Sequence, residues 1–571
     1  MQTNQESQKI IFTNKAKCRD CNRCVRYCPV KAIKIKNGQA QVSPELCITC
    51  GTCVLECPQK AKAYRNDVEK VRLIMSNGKP NAISIAPSFS SIYDEWERKR
   101  LPSALRMLGF NYIAETAVGA YYTAIESKKY IEKNPDRTHI LTSCPVLVNY
   151  IEKYHIELID ILVPVVSPMI AHAKIIKKKF DDNVNVIFVG PCIAKKYESE
   201  RPEYEGLIDA VITFEELEEM FAINKVSILN CEESIYDDLP YGKSQIFPLV
   251  GGILQTAEMG TDMLNLSTIS INGIDEISNV VEHLNENQGN YIIEPLFCRN
   301  GCINGPAILN KSNYIEKRKQ IIEYVNRNST GKNIENISDI FLKTKFSKKN
   351  PETVKTFSEE EIKEVLKRTG KNTVENELNC GACGYNSCRE KAIAVLNGIA
   401  EPEVCLPYMK RIAEAKSDML IESSPNGVVV LDDKLHIMNM NPAFKKMFMC
   451  SDAVLNKNIS YIIDSDPFEK IASGVEKEIS KLVRYPSYNL ICNQICYTLV
   501  QKNQYIGIFV DVTDIYQSKE ELNNIKKKTI IQAQDLMEHQ VKMAQELVQF
   551  LGENTAKGEI LLKNLIDAIK K

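Results

Sequence analysis

Residues 18–29 read CRDCNRCVRYCP, and residues 47–58 repeat the same cysteine spacing as CITCGTCVLECP. Closely spaced thiolates let one short loop bind three corners of a four-iron cubane, while the fourth cysteine, which precedes a proline, reaches the other cluster. A zinc site built from similar cysteine pairs is the alternative, but zinc does not explain eight cysteines in a duplicated spacing. The pattern therefore predicts two [4Fe–4S] clusters, one bound by Cys18, Cys21, Cys24 and Cys57 and the other by Cys47, Cys50, Cys53 and Cys28.

The composition is that of a globular, multidomain protein: 571 residues, 44% hydrophobic and 25% charged, with a formal net charge of −1 at pH 7. These values exclude a wholly disordered chain or a fibrous rod, and without a basic excess we expect no nucleic-acid partner. The first residues, MQTNQESQKIIF, lack the pattern of a secretory signal, and no apolar run is long enough to span a membrane. Because the 20 cysteines stand mostly in clusters, we expect a cytoplasmic protein whose thiols bind metal.

Residues 1–70 resemble the bacterial dicluster ferredoxin over nearly all of their length. A third cysteine cluster lies in residues 373–410, where a CGYNSC core is followed by a distant CLP. This segment resembles the small four-iron domain of several anaerobic electron-transfer proteins, which implies a third [4Fe–4S] cluster. Four cysteines would equally suit tetrahedral zinc. The ligands implied by the resemblance are Cys380, Cys383, Cys388 and Cys405.

Four further cysteines lie far apart in the sequence: Cys144 in LTSCP, Cys192 in GPCIAKKYE, and Cys298 and Cys302 in EPLFCRNGCINGP. In this order the three segments resemble the signature segments of the [FeFe]-hydrogenase catalytic domain, and the similarity covers residues 78–325. The resemblance implies a [4Fe–4S] subcluster bound by the four cysteines, with Cys302 bridging to a diiron unit that carries CO and cyanide. The alternative is four unrelated, buried structural cysteines.

The resemblance also assigns roles around this site, and it shows departures. Lys195 would donate a hydrogen bond to a cyanide ligand, and Ser167 would line the pocket. Catalytic members carry two adjacent cysteines in the first segment, one of them the proton donor, whereas this chain has Ser143 before the ligand cysteine. Gly190 and Leu296 stand where catalytic members have pocket methionines. A hydroxyl relays protons less readily than a thiol near neutral pH, so we expect binding to dominate and turnover to be slow.

Residues 411–516 resemble a PAS sensory domain, with SPNGVVVLD at 424–432 and an exit strand GIFVDVTD at 507–514. No residue pattern there specifies a ligand. We expect residues 326–372 to be a linker with some helix. Residues 517–571 carry apolar positions spaced three or four apart, which predicts an amphipathic signalling helix that pairs in a homodimer. These positions are Ile530, Ala533, Met537, Val541, Ala544, Val548 and Leu551.

The predicted fold is therefore multidomain α/β and α+β, and the order of its parts resembles sensory-type [FeFe] hydrogenases. Our leading hypothesis is a redox and hydrogen sensor that uses H2 or protons and a ferredoxin-like electron carrier. Because the sequence carries no kinase or phosphatase motif, the output would lie on a separate signalling protein. Two alternatives stay open: a catalytically active, ferredoxin-linked [FeFe] hydrogenase, and an iron–sulfur redox sensor without the diiron unit.

Overall fold

The computed structural model describes residues 9–36, 38–238, 240–260, 267–286, 289–308, 312–328, 340–349, 357–499, 504–513, 530, 532–548 and 561–564. It divides into two compact units, Met1–Pro402 and Glu403–Lys571. Among the described helices, none combines the length and the apolar character that crossing a lipid bilayer requires.

The first unit begins with the duplicated cysteine segment, in which each cysteine loop runs into a short helix. Strand β1 pairs antiparallel with β4, and β2 pairs antiparallel with β3. The short ladders enclose the two loops, so that the chain leaves this segment close to where it entered. The elements are β1 (Ile11–Thr13), α1 (Arg23–Tyr27), β2 (Ile33–Lys36), β3 (Gln39–Val42), α2 (Thr52–Leu55) and β4 (Lys62–Tyr64).

An α/β body follows, as the alternating apolar runs predict. Its strands are β5 (Asn81–Ile85), β6 (Tyr112–Glu115), β7 (His139–Ile140), β8 (Asn185–Gly190), β9 (Ala210–Thr213), β10 (Thr268–Asn272) and β11 (Ile292–Leu296). Its helices are α3 (Val68–Met75), α4 (Glu95–Met107), α5 (Ala117–Glu132), α6 (Pro145–Tyr154), α7 (Pro168–Lys179), α8 (Ala194–Ser199), α9 (Phe214–Ile223), α10 (Gly252–Thr256), α11 (Ile274–Glu286) and α12 (Tyr314–Asn328).

Two parallel sheets form the framework of this body. One has the strand order β6-β5-β8-β9 and the other β10-β11-β7. Every residue of β5 and β8 is buried, as expected for parallel strands that helices cover on both faces. Parallel strands present all their carboxyl ends at one edge, and the loops there are where open α/β sheets place their ligands.

The segment between this body and the second unit is packed where the structure describes it. Leu342 accepts a backbone hydrogen bond from Val166, and the Lys349 ammonium lies 3.1 Å from the buried Glu152 carboxylate. Helix α13 (Glu359–Arg368) shares a small apolar core with α14 (Cys388–Leu396). The predicted linker at 326–372 therefore contributes contacts of its own, although its boundaries stay a prediction.

The second unit contains a five-stranded antiparallel sheet with the strand order β13-β12-β16-β15-β14. Helix α15 (Leu406–Glu422) leads into it, and buried aromatic residues such as Phe444, Phe448 and Phe509 fill its core. The other elements are β12 (Gly427–Leu431), β13 (Ile437–Met440), α16 (Pro442–Met447), α17 (Asp466–Ala472), β14 (Glu478–Tyr485), β15 (Leu490–Leu499) and β16 (Gln504–Asp511). Residues 532–548 are helical, whereas Leu551 lies outside the described residues.

Candidate functional site

Three of the four dispersed cysteines follow the carboxyl ends of parallel strands. Cys144 comes shortly after β7, Cys192 directly after β8, and Cys298 directly after β11. Strands β7 and β11 are neighbours in one sheet, and β8 belongs to the other. The site is therefore assembled where the loop edges of two sheets meet, which is why residues far apart in sequence can share it.

Helix starts position the side chains of these loops. Cys144 is the residue before α6, and Pro145 occupies the first helical position, where its missing N–H costs nothing. Ser167 stands in the same relation to α7 and Pro168. Both loops are therefore fixed where a helix begins, and this fixes the backbone directions of Cys144 and Ser167.

A pocket that is partly open to solvent brings four of the predicted site residues together. Ser143, Cys192, Lys195 and Cys302 all contribute to its wall. The rest of the wall is mainly apolar or hydroxyl-bearing: Ala86, Pro87, Ser88, Thr116, Ala120, Pro168, Met169, Phe188, Pro191, Phe247 and Pro248. Such a pocket, with a few convergent polar groups in an apolar lining, is typical of a ligand or cofactor site.

The thiols of this site lie close enough to influence one another. Burial raises the pKa of the Cys192 thiol to about 12, and Cys144 adds to the shift. Burial raises the pKa of Cys298 and of Cys302 still further, with contributions from the other cysteines of the set. Crowded, buried thiols do not ionise readily on their own, whereas a bound metal centre compensates the charge of the thiolates and displaces their protons.

Lys195 is already paired on the cavity wall. Its ammonium donates to the Ser167 hydroxyl at 2.9 Å and to the Glu198 carboxylate at 2.6 Å. Sequence reasoning missed Glu198, although it lies three residues after Lys195 on α8, the spacing at which helical side chains meet. Ser167, which was predicted to line the pocket, instead reaches the wall through Lys195 and is not among the residues that line the cavity.

Lys196, the next residue along the chain, forms buried ion pairs away from the cavity. Lys196 is fully buried, and its ammonium lies 2.7 Å from Asp67, 2.8 Å from Glu216 and 2.8 Å from the Val211 carbonyl. Asp67 immediately precedes α3, where the cysteine-rich segment joins the α/β body. Lys196 therefore stabilises that junction, while Lys195 faces the cavity.

Phe188 occupies the space beside Gly190. A Cβ placed on Gly190 would lie 2.6 Å from Cε1 of Phe188, and Phe188 itself lines the cavity. Residues two apart on a strand share a face, so this contact was available from the sequence but was not inferred. Met169 also lines the cavity, while Leu296, at the other substituted position, is buried at the end of β11.

The duplicated segment groups its cysteines in the predicted crossed combinations. Cys18, Cys21, Cys24 and Cys57 line one common pocket. Burial raises the pKa of the Cys28 thiol to about 12, and the nearby Cys50 and Cys47 add to the shift. The cysteines near Cys53 are Cys50, Cys47 and Cys28. No three His, Cys, Asp or Glu side chains among the described residues form a single-ion site; a cubane instead presents a different iron to each thiolate.

Helix α6 holds the second cysteine loop against the site. The Lys153 ammonium donates to the carbonyls of Glu45 at 2.9 Å and Cys47 at 2.8 Å, and the Tyr154 hydroxyl donates to Leu46 at 2.6 Å. A Cβ on Gly51 would lie 2.7 Å from Pro306, so only glycine permits this approach. Since Cys144 directly precedes α6, one rigid element joins the two cysteine sites.

The remaining cysteines lie elsewhere. Cys380, Cys383 and Cys388 belong to the first unit, and Cys405 directly precedes α15 in the second. Cys492 and Cys496 are buried in the β-sheet of the second unit, where burial raises the pKa of each to about 12. A thiol with such a pKa stays protonated near neutral pH.

Four family models match successive parts of the chain. They are a 4Fe-4S dicluster domain at residues 10–68, the iron only hydrogenase large subunit, C-terminal domain at 79–306, an Fe-S cluster model at 376–407 and a PAS domain at 415–480. The predicted order of ferredoxin-type, hydrogenase-like, four-iron and PAS segments is thereby confirmed, as is the mixed α/β fold.

Individual relatives match parts of the chain. Iron hydrogenase 1 from Clostridium pasteurianum is 27% identical over 372 residues, which are 52% of this chain and 65% of that protein. The cytosolic Fe-S cluster assembly factor NAR1 from Yarrowia lipolytica is 30% identical over 143 residues, 24% of this chain and 29% of that protein. The chain thus spans less than two thirds of either relative.

A solved structure of a variant of [FeFe]-hydrogenase HydA1 from Chlamydomonas reinhardtii is 15% identical, with a TM-score of 0.38, and covers 49% of this chain and 99% of that one. By these matches the chain carries an iron-only hydrogenase-like domain, with a dicluster ferredoxin segment before it and a PAS domain after it.

Proposed function

We propose that this protein is a cytoplasmic iron–sulfur sensor of redox state and hydrogen, with slow H2 oxidation or proton reduction as a residual activity. The observation that carries the proposal is the cavity between Ser143, Lys195 and Cys302. It keeps the thiols and the cation of a hydrogenase-type site but replaces the proton-donating thiol with a hydroxyl. The same chain continues into a PAS domain, which a purely metabolic enzyme does not need.

The chemistry of the donor set fits the implied cofactor. Cys144, Cys192, Cys298 and Cys302 would bind a [4Fe–4S] subcluster, and the pocket beside Cys302 would hold the diiron unit. When bound, a diiron unit with CO and cyanide ligands supplies the redox chemistry of H2. The buried Lys195 supplies a point charge that can hydrogen-bond an anionic ligand.

Two features of the wall favour binding over turnover. The Ser143 hydroxyl holds its proton far more tightly than a thiol, so it delivers a proton to the cavity slowly near neutral pH. The Glu198 carboxylate, 2.6 Å from the Lys195 ammonium, partly neutralises the one cationic donor on the wall. Signal detection tolerates slow turnover, because it requires only a ligand-dependent shift between states.

The output is proposed to run through the PAS domain and the C-terminal helix. Along residues 532–548, the predicted positions Ala533, Met537, Val541, Ala544 and Val548 are all partly shielded. An isolated amphipathic helix is marginal, so pairing in a homodimer gives this face a partner. A ferredoxin-like protein would exchange electrons with the chain, and a separate protein would receive the signal.

A second candidate is an iron–sulfur redox sensor or scaffold that never acquires the diiron unit. The likeness to NAR1, which is named as an Fe-S cluster assembly factor, favours it. The likeness to Iron hydrogenase 1 favours the opposite alternative, a catalytically active hydrogenase. The three candidates differ in the occupancy of the cavity and in the rate of hydrogen turnover.

Infrared spectroscopy on anaerobic protein, co-expressed with the diiron maturation enzymes, separates these candidates. We expect bands of iron-bound CO and cyanide that shift under H2, together with slow methyl viologen-linked turnover. Intact iron–sulfur clusters without such bands would overturn hydrogen sensing in favour of the scaffold. Fast turnover would instead favour the metabolic hydrogenase.

A further inference from the structure

The loop that carries Cys380 and Cys383 packs directly on the first cysteine repeat. The Arg26 guanidinium at the end of α1 donates to the Ala382 carbonyl at 3.2 Å. A Cβ on Gly384 would lie 3.0 Å from the backbone nitrogen of Arg26 and 3.0 Å from the side chain of Val25. Gly384 has a φ of +94°, so glycine satisfies both the backbone conformation and the close approach.

Lys31 lies between the two cysteine loops. Its ammonium donates to the Arg26 carbonyl at 3.2 Å and lies 5.9 Å from the centre of the Tyr385 ring, within the range of a cation–π contact. Burial lowers its pKa, while the thiols of Cys28 and Cys383 and the Glu390 carboxylate counter that shift. One half-buried cation therefore faces a ligand of each predicted cluster.

Tyr385 forms the rest of the contact. Its side chain is buried, and its hydroxyl has no hydrogen-bond partner among the described residues. Burial raises its pKa, and the Cys383 and Cys28 thiols add to the shift. The ring thus lies near a cysteine of each loop.

We propose that the loop of residues 380–388 docks on the ferredoxin segment at the cluster bound by Cys28, and that Lys31 is the shared counter-charge that couples the reduction of the two clusters. The proposal needs only the iron–sulfur clusters, so it holds or fails independently of hydrogen chemistry in the cavity.

The physical basis is electrostatic. A one-electron donor such as dithionite adds one electron to a [4Fe–4S]²⁺ core and gives [4Fe–4S]¹⁺, with no bond made or broken. Each reduction adds negative charge, which a nearby cation stabilises, more strongly away from water than in it. Removing the ammonium of Lys31 should therefore make both clusters harder to reduce.

The test is an EPR-monitored potentiometric titration of the full chain, purified without the maturation enzymes so that the cavity carries no diiron unit. Signals are assigned with Cys380→Ala and Cys53→Ala, each of which removes a ligand from one cluster. We expect Lys31→Met to lower both midpoint potentials, Lys31→Arg to keep them, and Lys36→Met, at an exposed position of the same segment, to leave them unchanged. Iron and sulfide contents must match the wild type.

A shift of only one midpoint potential, or of neither, in fully loaded Lys31→Met would overturn the shared counter-charge. If that variant does not bind its clusters, the EPR spectrum of the reduced wild-type chain tests the docking instead. Two adjacent paramagnetic clusters broaden or split each other's EPR signals, so Cys380→Ala should sharpen the signal of the Cys28-bound cluster. An unchanged line shape in Cys380→Ala would exclude the docking at this cluster.

Discussion

The two kinds of cysteine site in the first unit are built on opposite principles. The ferredoxin segment collects eight ligands from two copies of a twelve-residue motif, and the loops themselves wrap the site. The dispersed site draws its four cysteines from three loops at the ends of strands in two different sheets, and two of them line the cavity. The first kind of site is local, whereas the second exists only when the whole α/β body is folded.

The two sites also differ in how freely the residues around their cysteines can change. In the ferredoxin segment the four cysteines of each motif and the short helix between them leave few positions that face the site without being predicted ligands. In the cavity the ligands are few and the wall is supplied by other elements, so that Ser143, Glu198 and Phe188 can change the chemistry without disturbing the thiols. Function can therefore diverge at the cavity while the electron-transfer segment stays the same.

The largest effect should come from removing one cavity ligand. Cys302→Ala should abolish the cavity cluster, and with it about four irons per chain, while the ferredoxin EPR signals persist because their ligands are local. Cys231→Ala is the matched control, since Cys231 is a buried thiol outside both sites. If Cys302→Ala also erased the ferredoxin clusters, the two sites would not assemble independently.

The junction between the two kinds of site can be weakened directly. Lys196→Met should lower the free energy of unfolding by about 3–5 kcal/mol, because it leaves the buried Asp67 and Glu216 carboxylates without their cation. Denaturant titration followed by Trp96 fluorescence measures this loss. The exposed Lys70→Met is the control, and equal stability of the two variants would contradict the assignment.

The α/β body should lose stability as the pH rises. Burial raises the pKa of Glu115 to about 7, against hydrogen bonds from Tyr324 and Gln245. Its folded-state pKa lies above the unfolded value, so the folded state binds more protons, and stability falls between about pH 4.5 and pH 7 by at most about 3 kcal/mol. Glu115→Gln should remove only part of this pH dependence, because burial also raises the pKa of Glu294 to about 7. An unchanged slope would contradict the shift.

Ser143→Cys would test whether the missing thiol limits turnover. With the diiron unit loaded, we expect hydrogen evolution from reduced methyl viologen to rise by about 10²-fold, the lower range of a positioned acid–base group. Ser143→Ala should not raise the rate. A fully metallated Ser143→Cys variant with wild-type activity would rule out this explanation of slow turnover.

The smallest change concerns the packing of the cavity wall. Gly190→Met should cost about 1–3 kcal/mol, because the new side chain collides with the Phe188 ring. Combining it with Phe188→Ala should recover most of the loss, which thermal unfolding of both variants would measure. If Gly190→Met alone were as stable as the wild type, the Phe188 ring would move aside without a cost in free energy of unfolding.

Much of the site follows from the sequence, for reasons that particular residues make clear. The ligand cysteines and Lys195 lie in short motifs whose spacing carries the chemistry. Glu198 and Phe188 belong to no motif and were missed, although helix and strand periodicity place each beside its partner. The contact of Lys31 with Tyr385 could not be inferred at all, because 354 residues separate its partners in the chain and no periodicity connects them.

The sequence by itself determined the order of the domains and the presence of Ser143 in place of a second thiol, and it predicted the iron–sulfur ligands, because thiolate spacing and residue identity are local properties of the chain. Only the tertiary structure decided that Lys195 is paired with Glu198, that Lys196 stabilises the junction, and that α6 links two cysteine sites. These contacts depend on which buried surfaces pack together. A buried charge is costly unless it is paired, so its partner is one that the packing places beside it.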